Sequence, residues 1–286
     1  MAIDLHMHTT FSDGTMSPEE LVLHARENGL TTIAVTDHDI VDGNEQALSF
    51  GNKYDVTVVP GVELSIDVSL PNNGHMHVLG LFIDHTNQSI SGTLTFLREE
   101  RDRRNHKILA TLGDLGMPLT MDELLQEAGE GSVGRPHIAR LMHRHGYVRD
   151  YQEAFDKYLK KGAPAYMDKV KLDQEKGLQL IKDAGGLAIL AHPFSLGYDD
   201  FEETKNKIRE LRELGLHGFE VYYSLHSDRF TRQLLEFAKQ EDFLISGGSD
   251  FHGQNKADIR IGVGRGNLNI PDDVYRNLRD FHAKLN

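Results

Sequence analysis

Short apolar, β-branched runs alternate with amphipathic helical stretches along most of this chain, and that alternation restricts its fold more than any other feature. Residues 2–7, 31–35, 56–59, 75–83, 187–191, 218–222 and 243–246 read as strands, with 62–66 extending the third. Between them, residues 44–52, 173–184, 201–214, 227–240 and 272–285 carry helical spacing. Ser17-Pro18-Glu19-Glu20 opens a further helix through a capping box, and Gly29 closes it. Repeated βα units imply a largely parallel sheet, either open or closed into a barrel.

The middle of the chain breaks the alternation. Residues 94–115 read as one long charged helix. Thr120-Met121-Asp122-Glu123 is a second capping box, and 135–145 and 150–161 read as further helices, each followed by glycine. The expected organisation is therefore an α/β domain over 1–99 and 166–286, with a small all-helical insertion over 100–165.

Composition removes several function classes. The 286 residues include no cysteine, which excludes a disulfide scaffold, a thiolate metal site and a cysteine nucleophile. A net charge of −13 argues against broad nucleic-acid binding, DNA included, through a basic face. No apolar run approaches the roughly 20 residues needed to span a bilayer. Met1-Ala2-Ile3-Asp4 has no signal-peptide character, so a soluble cytoplasmic protein is expected.

The informative residues are the 16 histidines. Nearly every expected strand ends in a metal-type ligand. His6 and His8 end the first, where a two-residue spacing puts both on one face. Asp13 follows in a Ser-Asp-Gly turn, and Asp37-His38-Asp39 follows the second strand. Glu63 follows the third, His77 sits on the fourth, His192 ends the fifth, and Asp250 and His252 follow the last. Ligands at the carboxyl ends of parallel strands converge on one mouth. Nine nitrogen and oxygen donors are too many for one tetrahedral ion, so two or three divalent ions are implied.

Other histidines read as ordinary. Chance gives about one His-x-His pair in such a chain, and three are present. His143 and His145 fall on a helix, where their side chains diverge, and read as surface. His75 reads as an outer neighbour of His77 or as exposed. Asp37 or Asp39 reads as a residue that caps or orients His38.

The run Asp4-Leu5-His6-Met7-His8-Thr9-Thr10-Phe11-Ser12-Asp13-Gly14 resembles the opening motif of the PHP (polymerase and histidinol phosphatase) family of metal-dependent phosphoesterases. Thr36-Asp37-His38-Asp39, Pro60-Gly61-Val62-Glu63, His77-Val78-Leu79-Gly80, Ala191-His192-Pro193 and Gly248-Ser249-Asp250-Phe251-His252 resemble its later motifs, in order. The resemblance implies a distorted (β/α)7 TIM-like barrel carrying two or three Mn, Zn or Fe ions, with Mg also possible. It implies one ion on His6, His8, Glu63 and Asp250, and a second on Glu63, His77 and His192. The third pocket is Asp13, His38 and His252, with an aspartate where the family often has histidine. Glu63, Asp13 and His192 form the implied catalytic set, acting through a metal-activated hydroxide.

A short chain with a helical insert resembles the stand-alone branch of that family. It implies removal of the 3′-phosphate from nucleoside 3′,5′-bisphosphates, 5′→3′ trimming of short RNA, or both. The alternatives are a phosphatase for histidinol phosphate or another small phosphomonoester, an amidohydrolase-type enzyme, and a non-catalytic metal-binding module. Gly131-Ser132-Val133-Gly134-Arg135-Pro136-His137 is the expected phosphate grip, with Arg135 as a two-pronged donor and His137 as a second one.

Overall fold

The computed structural model describes residues 2–129 and 133–285. The chain divides into two compact units, one of Met1–Gly92 with Lys171–Asn286 and one of Thr93–Val170.

The first unit is built on a sheet of β1 (Ala2–Asp4), β2 (Leu30–Val35), β3 (Thr57–Asp67), β4 (Met76–Leu81), β5 (Leu172–Asp173), β6 (Leu187–Leu190), β7 (Gly218–Tyr223) and β8 (Leu244–Gly248). The strand order is β1-β2-β3-β4-β6-β7-β8, with β5 against β3. All pairings are parallel except those of β4, which runs antiparallel to both β3 and β6. The chain just past β1 closes towards β8. Leu5 N–H donates to the Gly247 carbonyl at 3.1 Å, and Met7 bridges Phe251. A Cβ on Gly248 would overlap the His6 side chain, so only glycine lets the two segments approach. The result is a distorted TIM-like α/β barrel.

Helices α1 (Pro18–Glu27), α2 (Gly43–Tyr54), α7 (Gln174–Asp183), α8 (Phe201–Glu213), α9 (Asp228–Glu241) and α10 (Asp272–Leu285) belong to this unit. The expected Ser17–Glu20 capping box is formed in full at the start of α1. Leu5, Leu79, Leu81, Leu187, Ile189 and Ala191 are buried in one core cluster, and Leu21, Ile33, Val35 and Ala47 in another.

The chain enters the second unit along α3 (Gln88–Asp114) and continues through α4 (Met121–Ala128), α5 (Arg135–Arg144) and α6 (Tyr151–Ala154). Its core gathers Ile108, Leu112, Leu124, Ile138, Leu141 and Met142. Thr120 and Glu123 form the second capping box. His143 and His145 are exposed. No helix among the described residues is long and apolar enough to cross a membrane.

Three expectations change. β1 stops at Asp4, so His6 and His8 lie beyond the strand and not on it. The Met7 bridge and the hydrogen bond from His8 N–H to the Phe251 carbonyl keep that stretch extended. Residues 57–67 form one strand, because Pro60 and Gly61 are accommodated without a break. The helix expected over 150–161 is a short α-turn followed by a π-turn over Phe155–Leu159.

Candidate metal centre

Glu63 sits at the middle of the constellation, fully buried on β3. Its two oxygens face different partners. Oε1 lies 2.8 Å from His77 Nδ1 and 3.0 Å from His192 Nε2. Oε2 lies 3.3 Å from His6 Nε2, 3.3 Å from His8 Nε2 and 3.0 Å from His38 Nδ1. Asp250 Oδ1 stands 3.6 Å from His6 Nε2 and 3.3 Å from His8 Nε2. Asp13 reaches His252 Nε2 at 3.2 Å and His38 Nε2 at 4.0 Å. All nine expected ligands therefore meet in one place.

His77 arrives by a route that parallel-strand logic does not supply. It lies opposite Ser65 on antiparallel β4, so the start of β4 meets the carboxyl-terminal end of β3. The isolated bridge between His38 and Glu63 brings the β2 and β3 loops together. Non-glycine residues at positive φ mark the loops: His192 at 30°, Asp39 at 52° and Asp250 at 59°. Each such conformation costs on the order of 1 kcal/mol or more, and the surrounding contacts must hold it.

The histidine tautomers can be read from their outer partners. Ser195 Oγ donates its one proton to the His75 carbonyl at 3.1 Å, so it accepts from His192 Nδ1–H at 2.8 Å. His252 Nδ1–H donates to the Asp250 carbonyl at 2.8 Å, and His6 Nδ1–H to Glu220 at 3.1 Å. Ser12 Oγ gives its proton to Asp37, leaving it an acceptor for His8 Nδ1–H at 3.4 Å. Four rings thus carry their fixed proton on Nδ1 and turn Nε2 inward, as ligating histidines do.

Those inward atoms face carboxylate oxygens, which is repulsive unless a proton or a metal ion lies between them. His6 Nε2, His8 Nε2, His38 Nδ1, Asp13 Oδ1 and Glu63 Oε2 are all buried without a hydrogen bond. Donor separations of 3.0–3.6 Å around Glu63 and Asp250 match neighbouring ligands on one ion at metal–ligand distances of roughly 2.1 Å. The residues fit a divalent metal.

The electrostatics agree. Burial opposes charge on His6, yet Glu220, Glu63 and Asp250 hold its pKa well above the usual value. Burial likewise opposes charge on His8, but Asp250 and Glu63 raise it to about 9. Burial would push the carboxyls of Glu63, Asp13 and Asp250 up, but the surrounding histidine rings, joined by the Lys256 ammonium beside Asp250, keep all three well below the usual range. Burial leads in lowering His77 to about 3 and His75 to about 4, so both rings are neutral donors at physiological pH. Protons on His6 and His8 stand where a cation would displace them.

Several neighbours escaped the sequence reading. Glu220 is fully buried, accepts from the His6 ring, and takes the His192 backbone N–H at 2.7 Å. A lone acid in the apolar run of β7 was its available signal. Tyr223 O–H and Lys256 Nζ both bond Asp250 Oδ2, at 2.8 and 2.6 Å. Asp37 does not serve His38 as expected: it binds Thr9 N–H, Thr9 Oγ and Ser12 Oγ, and so fixes the loop carrying His8 and Asp13. Asp39 accepts from Ser65 N–H at 2.9 Å. His75 is exposed but stands within ligand distance of His77 and His192.

The expected phosphate grip is described only in part, since Gly131 and Ser132 lie outside the described residues. In the helical unit, Arg135 opens α5, donates to the Leu159 carbonyl at 3.0 Å and lies over the Tyr166 ring at 5.1 Å. His137 is buried, and its Nδ1 accepts the Gly134 N–H at 3.0 Å, which leaves its proton on Nε2.

Comparison with known proteins yields consistent relatives. The PHP domain family model matches residues 4–214. A 5′-3′ exoribonuclease, Rnm, of Escherichia coli is 32% identical over 253 residues, covering 87% of this chain and 84% of that protein. A 3′,5′-nucleoside bisphosphate phosphatase of Chromobacterium violaceum is 29% identical over 263 residues, covering 91% and 90%. Among solved structures, one from Bifidobacterium adolescentis, described as a metal-dependent phosphoesterase, superposes with a TM-score of 0.82 at 28% identity and covers 96% of this chain and 94% of its own.

Proposed function

The chain belongs to the PHP domain family, and from that premise we propose that its nine-ligand centre hydrolyses phosphate esters of nucleotides. It is a metal-dependent hydrolase of phosphoester bonds. The preferred substrate in our reading is a nucleoside 3′,5′-bisphosphate, losing its 3′-phosphate, or the 5′ end of a short RNA. Both substrates fit the activities named for the two relatives.

The observation that carries the reading is the set of five buried, unpartnered donor atoms on His6, His8, Asp13, His38 and Glu63. We assign one ion to His6, His8, Glu63 and Asp250, a second to Glu63, His77 and His192, and a third to Asp13, His38 and His252. Glu63 would serve both the first and the second set, since Oε2 faces His6 and His8 while Oε1 faces His77 and His192. Divalent ions held there supply charge neutralisation and a nucleophile generated from water at neutral pH.

The chain's own groups do the rest. Glu220 and Ser195 fix the proton on Nδ1 of His6 and His192, so both present Nε2 to the centre. Asp37 holds the loop of His8 and Asp13 in place. In the helical unit, Arg135 and the Nε2–H of His137 are assigned to a phosphate of the substrate.

A phosphate-release screen on the metal-loaded protein tests the proposal. It compares nucleoside 3′,5′-bisphosphates, nucleoside monophosphates, histidinol phosphate and 5′-phosphorylated oligoribonucleotides. The bisphosphates or oligoribonucleotides should lead. A wide margin for histidinol phosphate would overturn the substrate while leaving the centre intact.

A further inference from the structure

Lys256 ends a short 3-10 turn, Gly253–Lys256, that begins directly after the expected ligand His252. The turn is tied to the loop of Asp13. Gln254 N–H donates to Thr15 Oγ1 at 2.9 Å, and Asn255 Nδ2 donates to the Asp13 carbonyl at 2.6 Å. Gly253 has a φ of 62°, and a Cβ there would overlap the Thr15 side chain, so glycine permits the close approach. The backbone of Lys256 is therefore fixed relative to Asp13 and His252.

Its ammonium reaches Asp250 Oδ2 at 2.6 Å, an oxygen that Tyr223 O–H also holds, at 2.8 Å. The other oxygen of that carboxylate, Oδ1, faces His6 and His8. Tyr223 is buried, so Asp250 has a fixed hydrogen bond without the lysine. Among the described residues, no other lysine or arginine is ion-paired to one of the nine ligands. An ammonium has three N–H groups, and Asp250 is the one acceptor that the described residues give it. The Lys256 side chain is 40% exposed against 7% for Asp250, which puts the ammonium at the water-facing edge of the centre.

We propose that Lys256 is a catalytic residue whose ammonium donates to a non-bridging oxygen of the phosphoryl group being hydrolysed. Water's oxygen bonds to phosphorus, the bond to the alcohol oxygen breaks, and one water proton ends on that alcohol. Lys256 stays protonated throughout and holds charge on the phosphoryl oxygens. That the ester is a nucleotide's rests on the function proposed above, whereas the contact to the phosphoryl group does not. If Lys256 only steadied Asp250, its loss would loosen a ligand and weaken metal binding. Loss of a cation that serves the substrate leaves metal affinity equal or higher, because like charges repel.

The test titrates inorganic phosphate calorimetrically into the manganese-saturated chain. Metal affinity is read by competition with a chelator, and kcat and KM with adenosine 3′,5′-bisphosphate. K256M should bind phosphate about tenfold more weakly and lose about 100-fold in kcat/KM, with metal affinity no lower than wild type. K256R keeps the charge and should recover most of the phosphate affinity. Y223F removes the other donor from Asp250 Oδ2, keeps the ammonium, and should bind phosphate like wild type at saturating metal.

Wild-type phosphate affinity in K256M would overturn the proposal, as would a K256R no better than K256M. Equal weakening by Y223F and K256M, or a K256M that loses metal affinity and turns over normally once saturated, would make Lys256 a positioning residue acting through Asp250. Absence of saturable phosphate uptake by the manganese-saturated wild type would also overturn it. Should K256M not fold, K256Q carries the same comparison. Preference for an ester other than a nucleotide would leave the phosphate titration unchanged. Normal phosphate binding by K256M would leave nucleotide hydrolysis by the wild type standing.

Discussion

The two units bury charge in opposite ways. In the barrel unit, Glu63, Asp250, Asp13 and Glu220 are set among histidines whose lone pairs point inward, so the deficit is of positive charge. In the helical unit, Arg104 is buried with the neutral Asn105 as its hydrogen-bond partner, and no described carboxylate pairs with it. Both arrangements work against folding when alone, since a buried charge without its partner is costly.

The largest expected effect tests that contrast directly. Glu63→Gln should lower metal-dependent phosphoester turnover by on the order of 10³-fold and reduce metal content by elemental analysis. Glu220→Gln should act less severely. It loosens the His6 ring and the His192 loop without removing a ligand, and so should weaken metal affinity by about 10–100-fold, read by competition with a chelator.

A third test uses pH on the chelated protein. The His8 pKa is raised to about 9 in the fold, against an ordinary value of 6.5. Protonation of His8 therefore stabilises the native state fully below about pH 6.5, and this contribution disappears as pH rises through about 9. The loss is about 3 kcal/mol. The melting midpoint of the metal-free chain should fall across that window, whereas bound metal should flatten the fall. A flat metal-free profile would show that the carboxylates do not hold that proton.

The smallest effect compares like with like. Ser17 and Thr120 form the same capping box, one in each unit. Ser17→Ala and Thr120→Ala should each cost about 1 kcal/mol in denaturant unfolding. Two separate transitions, each shifted by only one of the variants, would show that the units unfold independently.

Much of this was readable from the chain alone. The capping boxes at Ser17 and Thr120, the βα alternation and the ligands at strand ends depend on spacing of a few residues, and local stereochemistry sets them. The reversed direction of β4, which delivers His77, was not readable, because a strand's pattern carries no sign for its direction. Asp37 was misread for a similar reason. It stands beside His38 in sequence, but its oxygens turn to Thr9 and Ser12, 28 and 25 residues away. Glu220 and Arg104 were passed over because an acid in a strand and an arginine in a charged helix look ordinary until their burial is known.

The amino-acid sequence by itself determined which atoms can bind metal and where along the chain they fall, because donor chemistry belongs to the residue. Only the tertiary structure decided which nitrogen of each ring faces inward, which oxygen of Glu63 meets which histidine, and that no described carboxylate pairs with Arg104. Those outcomes depend on burial and on partners brought from distant segments, and a charge or lone pair acquires its energetic meaning only from what surrounds it.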